Sequence, residues 1–201
     1  MKPLVDDIGS FPLPSYVKRE DFEQAYRLAR KLIAEGKSLK EDEFVFQNFY
    51  RVVVDSFEMK LDSDLDVATY PQHYDMYRQF TDVIHKAMDK GTYLVDESEA
   101  LIPEVHVINA EAENLQEKFG AHIALRVCVT GPMELYLAEV GTTPYEDILM
   151  MFAETVRRFA KNSILNTKHV KTAVVSLDEP SFGFRDISAS RETLMKVLEK
   201  A

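Results

Sequence analysis

The chain contains little cysteine, glycine or proline and no tryptophan: its 201 residues include one Cys, seven Gly and eight Pro. The single cysteine, Cys128, excludes an internal disulfide framework and is typical of a reducing compartment. The N-terminus lacks a signal-peptide pattern, and no apolar run approaches the roughly 18 residues of a membrane span. Because biased tracts and linkers are missing as well, we expect one cytoplasmic domain over residues 1–201 that does not enter a membrane.

Positive charge is also scarce. Lys and Arg number 24 against 34 Asp and Glu, and the formal net charge is −10. Without a basic stripe, the chain has little with which to displace the counterions of a phosphate backbone, and this argues against a nucleic-acid partner. The hydrophobic content of 46% is enough for a substantial core.

Segments of strand-like and helix-like hydrophobicity alternate along the chain. Strands are predicted at Leu4–Ser10, Leu65–Thr69, Ile102–Ile108, His122–Thr130 and the apolar run from Thr172 to Leu177. Helices are predicted at Asp21–Ala34, from Ser38 onward, in the segment that ends at Lys90, between the third and fourth strands, from Thr143-Pro144 onward, and at Ser188–Lys200. Ser38 and Glu41 have the spacing of a capping box. The alternation predicts a mostly parallel sheet covered by helices.

The strand count leads to a specific fold prediction. An eight-stranded barrel typically needs about 250 residues, and roughly fifty residues here go into an early helical pair. We expect a TIM-type (β/α)8 barrel, present as an incomplete barrel of about five βα units with an N-terminal helical elaboration. An open sheet of this kind leaves two exposed edges. The chain is therefore expected to form a homo-oligomer, to be completed by a C-terminal half, or to be a fragment of a longer protein.

The segment that ends in Asp178, Glu179 and Pro180 is the most informative part of the sequence. Val174 and Val175 suit a strand buried on both faces, and Pro180 has no backbone N–H with which to continue the ladder. The two carboxylates are therefore expected at the carboxyl end of a buried parallel strand, where α/β barrels build their active sites. Paired acids at such a position are typical of a site for a positive group; an N-cap with an ordinary salt bridge is the alternative.

Four loops with distinctive sequences fall at the carboxyl ends of the predicted strands: Ile8–Pro12, Tyr70–Met76, Thr130–Met133 and Asp178–Phe182. Taken together and in this order, they resemble the catalytic barrel of the cobalamin-independent methionine synthases, in particular the short archaeal branch. The superfamily also contains uroporphyrinogen decarboxylase and the corrinoid-dependent methyltransferases. The resemblance covers essentially the whole chain and implies a methyltransferase of methionine biosynthesis that acts on the thiol of homocysteine.

The resemblance implies roles in amino-acid binding for two of these loops. The Ile8-Gly9-Ser10 turn matches the loop that holds the amino-acid part of homocysteine through backbone groups and the serine hydroxyl. A tight exit from a strand is the alternative interpretation of this turn. Asp178 matches the acid that binds the α-ammonium group, while Glu179 alternates to the other side of the strand and supports the loop.

The second loop departs from the bacterial and plant enzymes, which have Gly-Glu where this chain has Thr69-Tyr70. The Tyr-Pro-Gln sequence resembles the archaeal variant and implies that Tyr70 and Gln72 offer the substrate neutral hydrogen bonds in place of a charge. His73 in the same loop is a candidate ligand or base, or else a solvated loop residue. The pair Gly131-Pro132 is expected to shape the pocket wall.

Enzymes of this family activate homocysteine by binding its sulfur to zinc, through a His-x-Cys pair, a glutamate and a second cysteine. In the family these ligands follow the Asp-Glu-Pro strand, and this sequence has neither a His-x-Cys pair nor a second cysteine. We therefore expect no catalytic or metal-binding residue in this chain, and a core role for Cys128. In the short archaeal branch, the expected methyl donor is a methylated corrinoid protein.

Two other functions remain open at this point. Decarboxylation of a porphyrinogen needs arginines for several substrate carboxylates, and the loops supply Arg78 and Arg185. A non-catalytic half-barrel subunit or relic that binds a partner or a metabolite is favoured by the missing zinc ligands. The intact Gly-Ser and Asp-Glu-Pro loops favour the methionine-synthase interpretation instead.

Overall fold

The computed structural model describes residues 4–183, 187 and 189–201. The elements follow in chain order as α1 (Arg19–Ala34), α2 (Glu43–Val45), a π-helical turn (Phe46–Tyr50), α3 (Arg51–Leu61), β1 (Ala68–Thr69), α4 (Arg78–Met88), α5 (Pro103–Phe119), β2 (Ile123–Thr130), α6 (Pro132–Glu139), α7 (Glu146–Asn162), β3 (Val170–Asp178) and α8 (Arg191–Lys200). None of the described helices is both long enough and apolar enough to cross a membrane.

The sheet of the described residues has three strands in the order β1-β2-β3. β1 runs parallel to β2, with Ala68 opposite Leu125 and Thr69 opposite Arg126. The predicted TIM-type barrel of about five βα units is therefore wrong. The chain is a mixed α/β protein with three parallel strands in one open sheet.

The first predicted strand, Leu4–Ser10, is not a strand of this sheet. It meets the neighbouring segment through two isolated parallel bridges, Asp6–Val67 and Ser10–Gln72. Leu4 and Ile8 leave most of their surface exposed. The segment therefore lacks the buried apolar face that fixes the register of a longer strand.

The third predicted strand, Ile102–Ile108, is the beginning of helix α5. Pro103 occupies the first helical turn, where its missing N–H would have no intrahelical partner in any case. Buried residues then recur at the spacing of one helical face: Glu104, Ile108, Glu111 and Leu115. Three β-branched residues in Val105–Ile108 favour a strand, but the good helix formers that follow extend a single helix to Phe119.

β3 is an edge strand, whereas the sequence predicted a strand buried on both faces. Val174 and Val175 have relative exposures of 37% and 39%. β2 is the neighbour of β3 on one side, and no strand of the described residues lies on the other. Burial on both faces requires cover that this part of the chain does not supply, so that prediction is wrong.

Two helices start later than predicted. Asp42, not Ser38, caps α2, because its carboxylate accepts a hydrogen bond from the backbone N–H of Val45 at 3.0 Å. Helix α7 begins at Glu146, two residues beyond Pro144. Local capping patterns therefore indicated the right segments but not the first helical residues.

Other elements lie close to their predicted positions. Helix α1 begins at Arg19 and ends at Ala34, and β2 begins at Ile123. Helix α8 is capped by Ser190, whose hydroxyl accepts from the N–H of Thr193 at 3.1 Å. The predicted start of that helix, Ser188, lies outside the described residues.

The described residues form two compact units, each built from three chain segments. Unit 1 comprises the described residues of Met1–Tyr74, Leu101–Val127 and Ser163–Val175; unit 2 comprises those of Asp75–Ala100, Cys128–Asn162 and Ser176–Ala201. Aromatic rings occupy the core of each unit. In unit 1, Tyr26 stacks on Tyr74 with ring centroids 4.1 Å apart. In unit 2, Phe80 meets Phe159 edge to face at 4.9 Å.

Candidate functional site

The predicted binding residues of unit 1 form one hydrogen-bonded loop pair. The backbone N–H of Gln72 donates to the Gly9 carbonyl at 2.7 Å, and the Gln72 amide nitrogen donates to the Tyr70 hydroxyl at 2.8 Å. A Cβ atom on Gly9 would lie 2.1 Å from the Gln72 Oε1 atom. Gly9 is therefore needed for the close approach of the Gln72 side chain.

The other groups of this loop pair differ in their availability. Tyr70 is completely buried. The Ile8 carbonyl accepts a hydrogen bond from the Lys60 ammonium group at 2.9 Å. Ser10 is exposed, and its hydroxyl has no hydrogen-bond partner within the described part of the chain. Of the predicted polar side chains in unit 1, Ser10 is therefore the one that a molecule in solution reaches most readily.

His73 is buried, so the interpretation of it as a solvated loop residue is wrong. Its Nδ1 atom lies 3.0 Å from the Phe11 carbonyl oxygen and its Nε2 atom lies 2.9 Å from the Ser56 hydroxyl. Burial lowers the pKa of His73 to about 4. A neutral ring that donates from Nδ1 and accepts from Ser56 satisfies both contacts, and it ties this loop to helix α3.

The predicted binding residues of unit 2 lie where β3 ends and α6 begins. The carboxylate of Glu179 accepts hydrogen bonds from the backbone N–H groups of Met133 at 3.0 Å and Glu134 at 2.6 Å. These N–H groups belong to the first turn of α6 and have no partner inside the helix. Glu179 therefore supports the start of α6, where the helix dipole favours a negative charge.

Three effects compete at the Glu179 carboxyl group. Burial raises its pKa, the two backbone hydrogen bonds lower it, and the nearby carboxylates of Glu134 and Asp178 raise it again; the resulting pKa is about 7. This carboxyl group therefore titrates near neutral pH instead of near 4.5. Glu134, Asp178 and Glu179 form a cluster of three acids, and Glu134 is almost completely buried.

Sequence reasoning missed Glu134 and the residues that bind it. Its carboxylate accepts hydrogen bonds from the Tyr77 hydroxyl at 2.5 Å and from the Ser181 hydroxyl at 3.0 Å. The backbone N–H of Ser181 also donates to it, at 2.9 Å. The sequence feature that could have identified Glu134 is its position two residues after Pro132, in the first turn of a helix that follows a strand. Acidic residues are frequent at such positions.

Asp178 differs from the other two acids in having no hydrogen-bond or ion-pair partner for its carboxylate among the described residues. The side chain is half-buried. Its backbone carbonyl accepts a hydrogen bond from the N–H of Gly131 at 2.9 Å, which joins the end of β3 to the residue before α6. Of the three acids Glu134, Asp178 and Glu179, Asp178 is therefore the one whose carboxylate is available to a ligand.

Gly131 and Pro132 shape this corner in different ways. A Cβ atom on Gly131 would lie 2.2 Å from the carboxyl carbon of Glu179, far inside van der Waals contact. Pro132 is buried in the first turn of α6, where proline is favoured. Gly131 therefore makes room for the carboxylate that caps the helix.

We expect Gly131→Ala to destabilise the chain by about 2 kcal/mol, because the new methyl group expels the Glu179 carboxylate from its two backbone hydrogen bonds. Urea denaturation followed by circular dichroism measures the loss. The same substitution in a Glu179→Ala background is the control, since the clash is then absent. An equal cost in both backgrounds would show that the clash with Glu179 is not the cause.

The described residues do not fit a zinc centre. They contain no group of three or more His, Cys, Asp or Glu side chains that could hold a metal ion. Cys128 is buried in β2, where the Ser176 hydroxyl donates to its sulfur at 3.2 Å. A thiol in such a place has the environment of a core residue rather than of an activated thiolate.

The arginines required by the decarboxylase alternative find little support. Arg78 is largely exposed and lies 3.9 Å from the carboxylate of Asp82, which is one turn further along the same helix. Arg185 lies outside the described residues.

No family model, no curated protein and no solved structure matches this chain.

Proposed function

We propose that this chain binds the amino-acid part of homocysteine or methionine, and that the Asp178 carboxylate accepts the α-ammonium group of the ligand. In this proposal the chain is the amino-acid-binding part of a methyltransferase that acts on a thiol. The observation that carries the proposal is the half-buried carboxylate of Asp178 at the end of β3, without a partner among the described residues.

The neighbouring acids support the choice of Asp178 by elimination. Both oxygens of Glu179 accept backbone hydrogen bonds from α6, and both oxygens of Glu134 accept hydrogen bonds from Tyr77 and Ser181. A carboxylate that already has its partners gains little from an ammonium group, whereas an unpartnered, partly desolvated carboxylate forms a charge-assisted hydrogen bond. The surrounding negative groups add to the attraction for a cation.

The resemblance of the strand-end loops to methionine synthases supports the class of ligand. In that family the same strand end holds an amino acid through its ammonium group. The zinc ion and the corrinoid methyl donor of the complete family enzyme belong to the transfer step. Because the described residues do not fit a zinc centre, the proposal is limited to binding the amino acid.

Calorimetric titration with L-methionine and L-homocysteine tests this role of Asp178. We expect Asp178→Asn to weaken binding at least tenfold, because a neutral amide removes the charge that holds the ammonium group. Glu179→Gln is expected to weaken binding less, since that carboxylate is bound to α6.

Asp147→Asn, at an exposed acid of α7, is the matched control and should bind like the wild type. Circular dichroism of each variant verifies that it is folded. Wild-type affinity in a folded Asp178→Asn variant would overturn the proposal.

A further inference from the structure

Unit 1 contains a cleft of about 320 Å³ that shares no residue with the strand-end loops. Sites for small molecules typically have volumes of about 300–1,000 Å³ and mostly apolar walls with a few polar groups. The apolar walls here come from three places: Ile33 near the end of α1, Leu39 in the loop after it, and Ala110 in α5. The cleft therefore has the size and the walls of a small-molecule site.

The polar side chains of the cleft favour a ligand with a negative charge. Lys37 and Lys40 line it, and no acidic side chain does. Lys37 is bound to Glu35 at 2.6 Å in a pair that is largely exposed, and such pairs are weak enough to be exchanged for a ligand. Lys40 is held more firmly, by the nearly buried carboxylate of Glu111.

His106 adds a polar side chain with an unsatisfied atom to the wall of the cleft. Its Nε2 atom is buried and has no hydrogen-bond partner among the described residues, although the side chain lines the cleft. Buried polar atoms in proteins nearly always have a partner, and one that lacks it calls for a water molecule or a ligand. Burial also lowers the pKa of His106, so the ring is neutral at neutral pH and its Nε2 atom is suited to a single hydrogen bond.

Tyr50 gives the cleft a rigid aromatic wall. It ends the π-helical turn, a conformation that is found frequently at functional sites. Its hydroxyl donates to Glu111 at 2.6 Å, and the Lys40 ammonium group lies 5.2 Å from the centre of its ring. The ring is therefore held by its hydroxyl group, with a positive charge over one of its faces.

We propose that this cleft binds a small aromatic carboxylate, with the ring against Ile33, Leu39 and Tyr50 and the carboxylate bound by Lys37 and the imidazole ring of His106. A monoanion matches the available charge, because Lys40 is already neutralised by Glu111. The apolar walls and the Tyr50 ring favour an aromatic body over a small inorganic anion.

Calorimetric titration with benzoate and phenylacetate tests the site. We expect both to bind, and benzamide, which has the same ring without the charge, to bind at least tenfold more weakly. Lys37→Gln and His106→Phe should each weaken benzoate binding at least fivefold. Lys31→Gln is the matched control, because Lys31 lies 3.9 Å from the same Glu35 but does not line the cleft, and it should change the affinity less than twofold.

The outcomes separate this proposal from the proposed binding of methionine. Lys37→Gln and His106→Phe are expected to leave the affinity for L-methionine unchanged. Absence of benzoate binding, equal binding of benzamide, or equal effects of Lys31→Gln and Lys37→Gln would overturn the aromatic-carboxylate site. If His106→Phe does not fold, the comparison of Lys31→Gln with Lys37→Gln still tests the aromatic-carboxylate site.

Discussion

We expect Glu104→Gln to stabilise the chain by about 3 kcal/mol at pH 7 and to change its stability little at pH 4.5. Glu104 is completely buried in helix α5, and neither of its carboxyl oxygens has a hydrogen-bond partner among the described residues. Burial raises its pKa from 4.5 to about 8, although its own backbone N–H group and the nearby Arg30 oppose the shift. Glutamine keeps the shape of the side chain and cannot ionise.

The sign of the effect follows from the protons bound in each state. Between pH 4.5 and about 8 the folded chain keeps the proton on Glu104 while the unfolded chain has released it. Wild-type stability therefore falls as the pH rises through this window, and the stability of the glutamine variant does not fall for this reason. The advantage of the variant is thus expected to grow from pH 4.5 to pH 8.

Urea denaturation at several pH values measures this difference. Glu117→Gln, at an exposed glutamate of the same helix, is the matched control and should show a difference near zero at every pH. A Glu104→Gln variant that is less stable than the wild type at pH 8 would show that the ionised carboxylate is stabilised in the folded chain.

We expect His73→Ala to destabilise the chain by about 3 kcal/mol at neutral pH. The substitution removes a buried ring and leaves the Phe11 carbonyl and the Ser56 hydroxyl without their partner. Because the pKa of His73 is lowered from 6.5 to about 4, the unfolded chain takes up a proton in this window before the folded chain does. Wild-type stability therefore falls as the pH drops from 6.5 to 4, and the deficit of the variant should narrow.

Thermal and urea denaturation between pH 4 and pH 7.5 test this expectation. His85→Ala is the control, because His85 is a more exposed histidine, with 55% of its side chain accessible, whose Nε2 atom lies 2.7 Å from Glu139. It should cost far less at pH 7. A deficit in His73→Ala that stays constant as the pH falls would contradict the assignment of a neutral, buried ring.

These two positions also show what the sequence alone left undetermined. The run Val105–Ile108 has the composition of a strand, and in a strand Glu104 would alternate with its neighbours between two faces. In a helix, Glu104 shares a buried face with Ile108 and Glu111. Because the secondary structure was assigned wrongly here, the burial of Glu104 was not visible from the sequence.

The strand-end residues were predictable where the signal is local. β3 ends at Asp178 because Pro180 cannot continue the ladder, and β2 leads into a helix that begins at Pro132. The roles within the cluster were not predictable. That Glu179 caps α6 and that Tyr77 and Ser181 bind Glu134 depends on contacts between residues 45 or more positions apart.

The prediction of the fold failed for a related reason. Alternation of apolar residues indicates that a segment is extended or helical, but pairing into a sheet depends on neighbours that supply hydrogen bonds and cover. The sequence of Leu4–Ser10 predicts a strand, but the segment forms two isolated bridges. The sequence predicts a buried Val174, but this side chain is partly exposed. Counting such segments as strands led to the barrel that the structure contradicts.

The most direct test of the proposed function varies the ligand instead of the protein. Titration of the wild-type chain with L-methionine, and with 4-(methylthio)butyrate, the same molecule without its α-ammonium group, isolates the contact assigned to Asp178. We expect L-methionine to bind and the deaminated analogue to bind at least tenfold more weakly. Equal binding of the two molecules, or no binding of L-methionine at millimolar concentration, would contradict the account.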